Sequence, residues 1–200
     1  MQRYYSRIYW HFTGSPKGNF SGALCPDELL QKSHPKSDHD SVDLVQSIVE
    51  SGVLKATGGD EVGIYQTKAF CSTTDIPIKD LVDHSLYYGR AAIGFKANVI
   101  HDLFLPVLYL SSDHTKRKEF VNRDHPLKDF IKLTDFQPEK GHTFYREREW
   151  RHIGDFHFKK KDIAAIVVPD PFLKKMRDVL EHKNYPEDIS VLSWRLIEEA

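Results

Sequence analysis

The stretch FYREREW (144–150) sets two carboxylates two residues apart. Its alternation predicts a strand over 143–153. On such a strand Glu147 and Glu149 point to one face, and Arg146, Arg148 and Trp150 to the other. Carboxylates crowded on one face repel, which raises the pKa of at least one of them. That arrangement suits acid–base or charge-stabilising chemistry. An exposed face of alternating charges, paired to its neighbours, explains the same letters.

RIYWHFTG (7–14) reads as a strand that ends on polar groups. His11 and Thr13 fall on the same face, beside Gly14. They could bind a ligand together, or His11 could bond a loop carbonyl at a strand end. In HSLYYGRAAIGF (84–95), a helix closes on Tyr87, Tyr88 and Gly89 before a strand begins. Two rings at such a junction can form a stacking wall for a planar ligand. They can equally pack beneath the sheet.

Other chemistry has less support. No HExxH or close His/Cys cluster occurs, and only His152, Asp155 and His157 could gather at a bend. No metal site is therefore expected. The chain lacks G-x-S-x-G, Walker and GxGxxG signatures. Cys25 and Cys71 form no CxxC pair. The basic run FKKKD (158–162) reads as a solvated turn.

The elements that must position these groups follow from pattern. Strands are expected over 6–13, 65–73, 91–97, 106–111, 143–153, 162–169 and 189–194. Helices are expected over 26–33, around Val42, Val45, Ile48 and Val49 with Ser41 or Asp40 as cap, over 75–89, and over 170–183 with Asp170 as cap. The segment 118–133 looks helical in parts, with Pro126 interrupting it, and 56–63 reads as a flexible loop. Helices fall between the early strands, while the middle strands follow too closely for parallel crossovers throughout. The expected class is α+β, with mixed or antiparallel sheets and flanking helices, as one domain over 1–200.

With 200 residues and a net charge of −1, the chain can bury a core and carries no global basic field for nucleic acid. The start has no continuous apolar run of a signal peptide, and no segment has the length of a membrane span. A cytoplasmic protein without membrane partners is expected.

Taken in order, a strand with HFT, a YYG leading into a strand, and a strand with ERE resemble the His–Tyr–Glu layout of the ADP-ribosyltransferase superfamily. WHFTG, FCSTTDIP, HSLYYGRAAIGF, PVLYL, EREWR and DIAAIVVP also resemble the abortive-infection Abi-Gi proteins of bacterial phage defence, over about 9–169. The first resemblance implies an ADP-ribosyltransferase-like domain that consumes NAD and modifies nucleic acid or protein. Glu149 would stabilise an oxocarbenium-like state and hold the ribose, and Glu147 would orient the acceptor. His11 and Thr13 would bond ribose hydroxyls or the nicotinamide amide, and Tyr87 or Tyr88 would stack on nicotinamide. The second resemblance implies an antitoxin-like or sensor module without turnover, with a toxin, antitoxin or phage protein as partner. Arg148 and Arg151 flank Glu149 and could instead hold it in a structural ion pair.

Overall fold

The computed structural model describes residues 6–16, 22–63, 65–111, 127–137 and 143–199. Along the chain come β1 (Ile8–Phe12), α1 (Pro26–Lys32), α2 (Asp38–Ser51), β2 (Val53–Leu54), β3 (Glu61–Val62), β4 (Tyr65–Gln66) and β5 (Phe70–Thr74). Then follow α3 (Leu81–Tyr88), β6 (Ala92–Lys96), α4 (Ala97–Leu103), β7 (Leu105–Pro106), β8 (Leu108–Ser111) and β9 (Ile131–Thr134). The last part holds β10 (Glu149–Ile153), β11 (Phe156–His157), β12 (Ile163–Val168), α5 (Leu173–His182), β13 (Ser190–Ser193) and α6 (Trp194–Glu198).

Seven strands make the main sheet, in the order β13-β12-β6-β1-β5-β10-β7. Its pairs are antiparallel except β12 with β13, which α5 joins as a crossover. β8 and β9 form a separate parallel pair. The expected mixed sheet with flanking helices is what the chain forms.

Strand alternation sorts the side chains into two apolar layers. Tyr9, Ile93, Phe95, Ile166 and Val168 bury one face against Val42, Val45 and Val49 of α2 and Met176 and Leu180 of α5. Trp10, Phe12, Ala92 and Val167 bury the other with Leu81 and Trp194. α2 starts earlier than the apolar spacing implied. Ser37 Oγ caps it by accepting from Asp40 N at 3.1 Å, because the polar residues 38–40 can occupy its exposed side. Gly52 closes it at φ +68°.

Several expected elements are corrected: 65–73 divides into β4 and β5 and 106–111 into β7 and β8, each pair split between different sheets. The run 143–153 is not one strand: Phe144–Glu147 is a 3-10 turn, Arg148 takes a left-handed conformation (φ 47°, ψ 48°), and β10 begins only at Glu149. Of the segment 118–133, residues 118–126 lie outside those described, with Pro126 among them. Residues 128–130 form a 3-10 turn, and Ile131–Thr134 is a strand rather than helix. Further on, the Asp170 carboxylate does not cap α5. It accepts from Ser193 Oγ at 3.0 Å.

Candidate functional site

The two glutamates reach each other by a different route from a shared strand. Thr134 Oγ1 accepts from Phe144 N at 2.7 Å, which ties the 3-10 turn to the end of β9. Thr74 Oγ1 donates to the Glu147 carbonyl, which fixes the turn to β5. Arg148 then reverses the chain into β10, its guanidinium held on Asp75 at 2.6 Å. Lys132 of β9 lands between the carboxylates, 2.8 Å from Glu147 Oε2 and 3.2 Å from Glu149 Oε2.

Arg151 completes the network. It is fully buried over the Phe70 ring and donates from Nε to Glu149 Oε1 at 2.8 Å and from Nη2 to Oε2 at 3.1 Å. Nη2 also meets Asp60. A Cβ on Gly59 would sit 1.9 Å from the Thr67 carbonyl oxygen, so the absence of a side chain there lets Asp60 reach its place. Tyr88 donates its hydroxyl to Glu147 Oε1.

Among the described residues the charges do not cancel. Glu147, Glu149 and Asp60 face Lys132 and Arg151, three carboxylates against two cations. Burial raises both glutamates, but the outcomes diverge. Arg151 and Lys132 outweigh burial at Glu149 and hold it below the usual carboxylate range. At Glu147 burial prevails over Lys132, and its pKa is raised. Burial opposes the charge on Lys132 as well, yet the two carboxylates keep it protonated well above its ordinary range. Carboxylates whose environments push them apart are the usual signature of an acid–base pair. A structural ion-pair network does the same.

A cavity of about 140 Å³ opens above this network. Trp10, Phe12, His84 and Tyr88 supply its aromatic walls, and Thr74, Lys132, Glu147 and Glu149 its polar ones. His84 lies between Phe12 and Tyr88, with ring centroids at 4.7 and 4.5 Å, and burial pushes its pKa down to about 3. A second cavity of about 350 Å³ shares His84, Tyr88 and Glu147 and extends to Tyr87, Arg146 and Asp83.

Of the residues singled out from sequence, Glu147, Glu149 and Tyr88 come together. His11 and Thr13 do not join them, and Tyr87 meets Tyr88 and Glu147 only along the second cavity. Trp10 pairs with Thr74, which pairs with Glu149, so those three side chains share one face of the sheet. His11 therefore points to the opposite face. Its Nδ1 bonds the Ser72 carbonyl at 2.8 Å, and burial lowers its pKa to about 4. Thr13 Oγ1 donates to the Ser41 carbonyl at 2.8 Å. Tyr87 donates to Asp27 at 2.7 Å and lines only the second cavity. His152 bonds the Leu103 carbonyl and Asp155 holds Lys55, and no metal-binding cluster occurs among the described residues.

Sequence reasoning missed Lys132, Asp60, Trp10 and His84. Lys132 had a signal, since IKLT alternates as a short strand.

Residues 59–137, less than half of the chain, match the family model described as "Putative abortive phage resistance protein AbiGi, antitoxin". This stretch includes Asp60, Tyr88 and Lys132 and ends before the two glutamates. Neither the curated proteins nor the solved structures contain a match. Among the described residues, no helix is long and apolar enough to cross a membrane.

Proposed function

We propose that the protein is an antitoxin-like binding module of an abortive-infection phage-resistance system, and that its buried carboxylates hold the fold rather than turn over NAD. The observation that carries this reading is the capture of Glu149 by Arg151 and Lys132. A carboxylate that must meet a developing cation on ribose is instead already filled. The matched family's description points the same way. His11 and Thr13, which NAD would need, serve the other face of the sheet.

A face for a protein partner is available. Ile78, Leu86 of α3 and Leu196 of α6 are exposed apolar side chains on elements that pack together. A protein partner would bury them. The test co-expresses the chain with the protein encoded beside it and follows growth, with Leu86→Asp as the surface variant. Relief of toxicity that Leu86→Asp abolishes while the fold is retained supports the reading. In parallel, NAD is titrated calorimetrically and nicotinamide release is followed. Release that Glu149→Gln abolishes overturns it in favour of an ADP-ribosyltransferase.

A further inference from the structure

His84 lies between the rings of Phe12 and Tyr88, but its own ring nitrogens have no hydrogen-bond partner among the described residues. They are not sealed in. Unlike the indole nitrogen of Trp10, which is buried without a partner, they keep accessible surface. His84 lines both cavities, so that surface opens into them.

Burial pushes the His84 pKa down to about 3, so the imidazole is neutral at pH 7 and one of its nitrogens can accept a hydrogen bond. Glu147 lines both cavities with it. A carboxylate has about four lone-pair sites, and Glu147 uses two, on Tyr88 and Lys132. Acceptors with room to spare therefore meet at the seam between the cavities, beside Tyr88. The charge there favours a cation. Asp80, Asp83, Glu147 and Glu149 line the cavities against Lys132, Arg146 and Arg148. Each of these cations already stands on a carboxylate: Lys132 on the two glutamates, Arg146 on Asp83 at 3.7 Å, and Arg148 on Asp75 at 2.6 Å. An anion would find no uncommitted positive charge among the lining residues. A cation would find acceptors and aromatic rings, both of which attract it. Pro26, Ile76 and Tyr87 give the larger cavity an apolar wall, against which an alkyl stem can pack.

We propose that the adjoining cavities bind a primary ammonium group carried on an alkyl stem. Its N–H groups donate to the unprotonated nitrogen of His84 and to Glu147, and the stem runs along Ile76 and Tyr87. No bond is made or broken. A free alkylamine and a lysine side chain of another protein present this same chemistry. The site does not depend on the partner proposed above, since it is read on the isolated protein.

The chain has eleven histidines, and His84→Phe, which keeps an aromatic ring in place, assigns the His84 signals in an imidazole nitrogen–proton correlation spectrum. The test adds n-butylammonium at pH 7. The expected result is a saturable shift of the accepting His84 nitrogen. Butan-1-ol, which lacks the charge, and butyltrimethylammonium, which lacks the N–H donors, should each bind about tenfold or more weakly. Calorimetry should show a similar loss of butylammonium affinity in Glu147→Gln and in His84→Phe. If neither variant folds, the three probes on the unaltered protein still decide. Nα-acetyl-lysine N-methylamide separates the sources: tighter binding than butylammonium assigns a lysine side chain, weaker binding a free amine, and either supports the site. No saturable shift up to about 10 mM overturns the proposal. So does equal binding of butan-1-ol or of butyltrimethylammonium.

Discussion

Lys132 is the residue whose loss tests the electrostatic account most directly. Lys132→Met removes the contacts at 2.8 Å to Glu147 and 3.2 Å to Glu149. Glu149 keeps its two bonds from Arg151, but Glu147 keeps only the Tyr88 hydroxyl. An unpaired charge in a buried site costs about 3–5 kcal/mol. Glu147 has a second exit, whose cost falls with pH, which is to take up a proton. From its ordinary value of 4.5, protonation at pH 7 costs about 3.4 kcal/mol, at about 1.4 kcal/mol per pH unit. The two costs are comparable at pH 7 and protonation is much the smaller at pH 5, so the variant should lose about 3 kcal/mol at pH 7 and only about 0.7 kcal/mol at pH 5. The sign follows from proton counting. The folded variant binds one proton more than the folded wild type, so the gap between them widens as pH rises. It levels off at low pH, where wild-type Glu147 itself protonates. Urea unfolding of both proteins at several pH values measures this. Adding Glu147→Gln to the variant should recover most of the loss at pH 7, because a buried pair removed whole is far less costly than one left half-made. A loss that does not change with pH, or a double variant no better than the single one, would refute the reasoning.

Three further outcomes are expected. Burial holds His84 at about 3 and His11 at about 4, both below the ordinary 6.5. Both bind protons in the unfolded chain before the folded one does. Their contribution is fully present above about 6.5 and is lost as pH falls toward 4, by up to about 3 kcal/mol per pH unit for the two together. Acid unfolding followed by circular dichroism should become shallower in His84→Phe, and an unchanged slope would count against this. Gly59→Ala should displace Asp60 through its clash with the Thr67 carbonyl and cost about 1–3 kcal/mol, read as a lower unfolding midpoint. Ser37→Ala should cost about 1 kcal/mol by removing the cap of α2, read as a lower unfolding midpoint.

The sequence made the sheet legible because apolar strands and well-capped helices are local features. β1, β6, β12 and β13 lie within a residue or two of where alternation and apolar runs place them, and Gly52 and Gly89 end their helices with positive φ. The loop 56–63 shows where locality fails. Its glycines read as flexibility, yet Gly59 serves a close approach of two backbone segments that only the folded chain brings together. Ile131–Thr134 fails differently. It is a four-residue strand paired, among the described strands, to β8, and its short alternation is outweighed by the helix-like residues before it.

The glutamate pair was found for a reason that does not hold in the folded chain. Alternation on one strand would have kept Glu147 and Glu149 on one face without help. Instead Arg148 breaks the strand between them, and they meet only because Thr74 and Thr134 pin the preceding turn and Lys132 stands between the carboxylates. Spacing in sequence could mark the pair as unusual, but its chemistry depends on how many cations reach it. Those cations, and the third carboxylate that competes for them, come from β9, from Arg151 and from the turn at Asp60, as much as 91 residues from Arg151 along the chain. Among the described residues, the set of three carboxylates against two cations, with Glu147, Glu149 and Arg151 buried and Asp60 about a third exposed, is a property of the fold alone. Burial first, and then Glu149 beside it, raise the pKa of Glu147, which accepts from Tyr88 and Lys132. Glu147, with two of these bonds, therefore keeps more acceptor capacity toward the cavity than Glu149, which accepts three.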